Sequence, residues 1–160
     1  MSETGRIGDR LQRSYEGDAW HGPPLRELLE GVSAAQAAAK PVAGAHSIWE
    51  IALHIGVYED VVRRRVEGEP VGELPEAEAW PKVGETSPAA WRGTLARFEE
   101  GHRRLWQALT GFPDARLPDT VPGHDFPFYI MLNGIIEHDL YHAGQIALLM
   151  RAQGIRPQED

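Results

Sequence analysis

The chain contains no cysteine. Disulfides, cysteine-ligated zinc ribbons and a protein thiol nucleophile are therefore excluded. Histidine and carboxylate become the side chains open to a metal, and any thiol chemistry has to arrive with a substrate. Basic residues are also few, 16 Lys and Arg against 24 Asp and Glu, for a net charge of −8. That balance repels a phosphate backbone and argues against a nucleic-acid partner. No apolar run is long enough to span a bilayer, and the opening MSETGRIGDR has no apolar stretch of signal-peptide length. The expectation is no membrane partner and a cytoplasmic location. Strand-period alternation, internal repeats and low-complexity tracts are missing too. What remains is a chain of 160 residues, long enough to bury its own core and read as a single domain over 1–160.

The helical period organises what is present. Ile7, Leu11, Ser14 and Tyr15 predict a first helix from about Thr4 to Glu16. The run GDAWHGPPLRELLEG breaks at Gly22, Pro23 and Pro24 and resumes as a short helix carrying Leu25, Leu28 and Leu29. Ala34 to Ala39 adds a turn or two before Pro41, so this region reads as a bent connection with Trp20 and His21 at its corner. Ser47-Ile48-Trp49-Glu50 has capping-box spacing and opens a helix that stops at Gly68, with Pro70 beyond. Its inward stripe is Ile51, His54, Val57, Tyr58 and Val61; Glu67 falls outside, and Arg63, Arg64 and Arg65 read as a solvated helix end. Residues 69–86 form a loop rich in Pro, Gly and Glu around Trp80, of a length that implies it covers something or moves. Ser87-Pro88 opens another long helix through Trp91, Leu95, Phe98, His102, Leu105 and Leu109 to Gly111. A second connection then leads to a last helix, which ends near Gly154 with Pro157 beyond. The expected fold is all-α, a four-helix bundle with additional short helices.

The last helix carries the chemistry. Met131, Gly134, Ile135, His138, Tyr141, His142, Gln145 and Leu149 fall on one stripe, which is expected to face the core. His138 and His142 are four residues apart, stacked one turn above the other. His54 is a third histidine on an apolar face. A lone inward histidine is more often a satisfied core residue, but three in alignment read as metal ligands, and three nitrogens with an open position is the catalytic pattern. Glu59, Glu137 and Asp139 are candidates to accept the second N–H of these imidazoles. Tyr141 and Gln145 are candidates to line the cavity, although Tyr141, Tyr58 and the tryptophans also fit the core. Gly134 either leaves room for a ligand or serves close helix packing. His21, His46, His102 and His124 read as capping, loop or surface residues, His21 being placed to fold over the open side. His138-Asp-Leu-Tyr-His142 also looks like the H-E-x-x-H of zinc peptidases, with a shorter carboxylate and no further downstream histidine.

The segments AWHGPPLRELLEG, HSIWEIALHI and, most specifically, IIEHDLYHAGQIALL resemble the DinB/YfiT-like family of metal-dependent enzymes, in its small single-domain bacterial branch. The resemblance spans nearly the whole chain. It implies the family's bundle topology and a divalent metal, zinc or nickel, held by His54, His138 and His142, with Gly144 and Gln145 completing an H-x-x-x-H-x-G-Q motif. It also implies a homodimer. Relatives include S-transferases and isomerases that use mycothiol, bacillithiol or glutathione. The function expected from it is a low-molecular-weight-thiol S-transferase acting on small electrophiles, with a small-molecule substrate and a thiol co-substrate. The catalytic residues stay unassigned, and Tyr141, Gln145, Tyr58 and His21 are the pocket candidates. Position 133 holds Asn where the resemblance leads one to expect histidine, an exchange that would alter substrate choice if that residue lines the pocket. The alternatives are a metal-dependent hydrolase and a non-catalytic stress-response or binding module.

Overall fold

The computed structural model describes residues 2–155. Among them are seven α-helices and no strand, beyond one isolated bridge between Thr120 and Pro127. Four helices are long: α1 (Glu3–Glu16), α4 (Ile48–Val66), α6 (Pro88–Thr110) and α7 (Phe128–Ala152). Three are short: α2 (Leu25–Glu30), α3 (Ala34–Ala38) and α5 (Glu76–Ala79). Both α6 and α7 pack against α1 and α4, while α2 and α3 fill the bend between α1 and α4.

Local chemistry sets the ends. The Ser47 hydroxyl accepts from the Glu50 amide at 3.1 Å, and the Glu50 carboxylate accepts from the Ser47 amide at 2.8 Å, so both halves of the capping box are made. Gly68, at φ +97°, takes the left-handed conformation that ends the helix. Ser33 and Gln36 cap α3 in the same way. Gly8 is needed for approach: a Cβ there would stand 2.6 Å from the Thr110 methyl group, so α1 and α6 meet closely at this point. Gly154 has a positive φ beyond α7 as expected, whereas Pro157 lies outside the described residues.

The arginine run is not the solvated end it was expected to be. Arg63 has a side chain only 11% exposed and pairs with Asp60 and Glu67. Arg65 donates to the carbonyls of Val71 and Gly72, each at 2.9 Å, and so straps the start of the 69–86 connection back onto α4.

The apolar core comes in two parts. One gathers Tyr15, α2, α3, the first half of α4, Trp91 and Phe98 of α6, and the last turns of α7. The other gathers Ile7, Leu11, Val62, Val66, Leu105, Leu109 and the first turns of α7. Between them each of α4, α6 and α7 places buried polar side chains at mid-length: Glu59, His102, and Asp139 with His142. Glu59 is 0% exposed. His102, expected at the surface, is buried because α6 turns its inward stripe of Phe98, His102 and Leu105 onto this layer.

Candidate metal centre

His54 leaves the middle of α4, and His138 and His142 leave α7. One ring nitrogen from each lies within 4.8 Å of the others, and the Nε2 atoms of His54 and His138 are 3.2 Å apart. Nitrogens bound tetrahedrally to zinc at about 2 Å stand about 3.3 Å apart, so the donor set fits a small divalent ion.

Each Nδ1 points away from this centre at an oxygen. His54 Nδ1 is 2.7 Å from the Ala79 carbonyl, His138 Nδ1 is 3.1 Å from Asp139 Oδ1, and His142 Nδ1 is 2.8 Å from Gln145 Oε1. Carbonyl and amide oxygens only accept, so His54 and His142 carry their protons on Nδ1 and leave Nε2 as a bare lone pair, while His138 Nδ1 faces the Asp139 carboxyl. Charge is suppressed as well. Burial lowers the pKa of His54 and of His142 and pushes His138 down to about 3, with the neighbouring His142 and His54 adding to that last shift. All three are neutral at pH 7, the form that binds metal.

Aromatic rings enclose the cluster. Trp80 stacks on His54 with centroids 3.7 Å apart, and its ring is 5.8 Å from that of His142. Tyr58 stands 4.9 Å from His54 and 5.0 Å from His138. The long 69–86 connection is thus a cover: its short helix α5 ends where Ala79 offers its carbonyl and Trp80 its face. His46 is half-exposed and stacks on Trp80 at 3.7 Å, so it belongs to the rim of the centre rather than to a bare loop.

Other expectations need correcting. Tyr141 is 68% exposed and touches the cluster only through the flank of His142, at 5.2 Å. Gln145 acts instead as the acceptor for His142 Nδ1. Of the three carboxylates, Asp139 does orient an imidazole, whereas Glu59 meets His102 instead, and Glu137 is exposed. Asp139 faces inward behind His138, away from the position a peptidase base would need. His21 is exposed and lines a separate hollow of about 470 Å³ with Pro23, Leu28, Leu140 and Gly144. Gly134 has open space around its Cβ position, so close packing does not explain it. Asn133 accepts from Arg10 at 2.6 Å and donates to the Tyr129 carbonyl at 2.9 Å, joining α1 to α7 and making no contact with the cluster. His124, a loop residue as expected, reaches the Val71 carbonyl at 3.0 Å.

The family model of the DinB superfamily matches residues 20–146, which include all three histidines. No curated protein sequence and no solved structure matches the chain.

Proposed function

The chain belongs to the DinB superfamily, and from that membership and its converging imidazoles we propose that it is a metal-dependent enzyme joining a low-molecular-weight thiol to a small electrophile. The observation that carries this reading is convergence: one ring nitrogen from each of His54, His138 and His142 lies within 4.8 Å of the others, and the Nε2 atoms of His54 and His138 are 3.2 Å apart. Three neutral imidazoles aimed at one point are a donor set that suits a cation.

A divalent ion, zinc or nickel by the preference of imidazole, would be held by His54, His138 and His142 and would supply a Lewis acid that lowers the pKa of a bound thiol. The residues around it do the rest. Ala79, Asp139 and Gln145 fix the three rings, and Trp80 and Tyr58 wall the centre with apolar faces that exclude water. Because the chain has no cysteine, the sulfur nucleophile comes from a co-substrate. In the reaction the thiolate forms a carbon–sulfur bond and the electrophile loses its leaving group. Ile130, Tyr141 and Leu148 lie along the outer face of α7, 55%, 68% and 63% exposed, and form the stripe that a second copy would cover in a homodimer.

Zinc- or nickel-loaded protein incubated with monochlorobimane and mycothiol, bacillithiol or glutathione should release chloride and form the bimane thioether faster than metal-free protein or His54→Ala. No rate above those controls with any thiol sinks the transferase reading. Ester or amide cleavage without thiol would instead favour hydrolysis.

A further inference from the structure

A hollow of about 350 Å³ lies between α4 and α6 with part of the 69–86 connection as its roof, and none of the three histidines lines it. On α4 the spacing of Leu53, Val57, Asp60 and Arg64 turns one stripe toward it; on α6 Thr94, Phe98 and Gly101 turn another. Helices that meet along such stripes normally close on each other's side chains. Here each wall holds a glycine. A Cβ at Gly56 would stand 3.4 Å from the Phe98 ring, and one at Gly101 would meet nothing within 4 Å. Glycine inside a helix is less stable than alanine, and nothing packed around position 101 asks for it. The absent side chains leave space that a ligand can use.

The lining has an apolar part and a charged part. Leu53, Val57, Leu74 and Phe98 supply the first, and Asp60, Arg64, Glu78 and Arg97 the second. Two of those charges are already answered, Asp60 by Arg63 and Arg64 by Glu69, each at 2.7 Å. Arg97 donates to the Thr94 hydroxyl at 3.3 Å, and among the described residues no carboxylate pairs with it and no cation pairs with Glu78. Thr94 is itself fixed, since its hydroxyl receives the Trp49 indole N–H and donates to the Ala90 carbonyl, both at 3.1 Å. A guanidinium on α6 and a carboxylate on α5 thus border one apolar space without meeting each other.

One unanswered charge of each sign around apolar walls suits a ligand that carries both signs on an apolar body. A plain anion would face Glu78 as well as Arg97, and a plain cation would leave Arg97 unanswered. We propose that this hollow binds a small zwitterion with an apolar side chain, a free hydrophobic amino acid or a hydrophobic dipeptide. Its carboxylate meets Arg97, its ammonium meets Glu78, and its side chain lies against Val57 and Phe98. The site is independent of the metal reading, although its roof continues from Glu78 straight into Ala79 and Trp80, which hold and cover His54.

Titration of the 15N-labelled full chain with L-phenylalanine and with leucyl-phenylalanine should shift the Gly56 and Gly101 amides saturably. The tighter probe reports which of the two ligand lengths the hollow takes. Blocking that probe as its N-acetyl derivative or as its C-terminal amide should weaken binding about tenfold or more. In Arg97→Gln the preference for the free acid over the amide should vanish, and in Glu78→Gln the preference for the free amine over the N-acetyl form. Gly101→Leu fills the space and should abolish the shifts at Gly56 while melting no lower than wild type; if it does not fold, Arg97→Gln carries the test alone. No saturable shift at Gly56 and Gly101 with either probe overturns the site. An N-acetyl form that binds as tightly as the free amine overturns the zwitterion, and so does an affinity unmoved by Arg97→Gln.

Discussion

Burial shifts the histidines and the carboxyls of this chain in opposite directions, and the pH dependence of folding follows from that opposition. His102 is lowered to about 4 by burial, and His138 to about 3 by burial and its two imidazole neighbours. The unfolded chain takes up protons below about 6.5 that these rings refuse, so their contribution is complete above that pH and is lost as the pH falls toward 4 and 3. Glu59 is raised to about 8 by burial, and Asp139 is raised by burial and by Glu59. These carboxyls keep a proton that the unfolded chain releases, so their contribution is complete below about 4.5 and is lost as the pH rises through 8. Between those limits the two sets offset each other. Urea unfolding of metal-free protein should therefore give a dome, with stability falling on both sides by about 1.4 kcal/mol per pH unit for each proton of difference. Glu59→Gln should flatten the alkaline limb and spare the acid one. A wild type equally stable at pH 6.5 and 8.5 would contradict the protonated carboxyl pair.

At the level of the elements, what the sequence disclosed and what it hid have one geometric cause. Helix ends were legible, because Ser47 with Glu50, Ser87 with Pro88, and Gly68 act on their own neighbours. The faces were legible only approximately. On α7 the expected stripe ran through His138, but the buried residues Ile135, Asp139, Ile146 and Met150 centre about 90° further round the helix. The same rotation holds on α4, where Ile55, Glu59 and Val62 are buried and His54 stands at the edge of the buried arc. With the histidines at that edge, Tyr141 and Gln145 fall further toward the outside and Asp139 and Glu59 point in. Nearness in sequence makes Glu59 and Asp139 candidate N–H acceptors, but a rule that sends carboxylates to solvent does not anticipate their burial. Nor could spacing along the chain find Trp80, whose stack on His54 is made by the return of the 69–86 connection. Trp80→Ala should cost this ring its support and weaken cobalt(II) binding about threefold to tenfold, as measured by chelator competition, with Trp80→Phe retaining most of the affinity. Equal affinity in the alanine variant would reduce Trp80 to a lid without hold on the metal.

For the whole molecule, the polar layer divides the apolar core and the proposed metal would join what it divides. His54 follows directly from the cluster formed by α2, α3 and the start of α4, while His138 and Asp139 sit at the boundary between the two core halves on α7. No helix among the described residues is long and apolar enough to cross a membrane, and the exposed stripe of Ile130, Tyr141 and Leu148 is the face proposed for a second copy. If a second copy covers it, light scattering should give a dimer for wild type and a monomer for Leu148→Glu. A cation that bridges α4 and α7 stabilises only the folded chain, by about 2.7 kcal/mol when present at a hundred times its dissociation constant. Since both core halves meet at the bridged layer, that gain should appear as one cooperative shift. Amide exchange should slow in α4 near Ile55 and equally in α7 near Ile135 and Ile146, and the melting transition should stay single. Slowing confined to the turns next to the histidines would mean that the two halves open independently, and that the buried layer insulates the centre from the fold rather than tying it in.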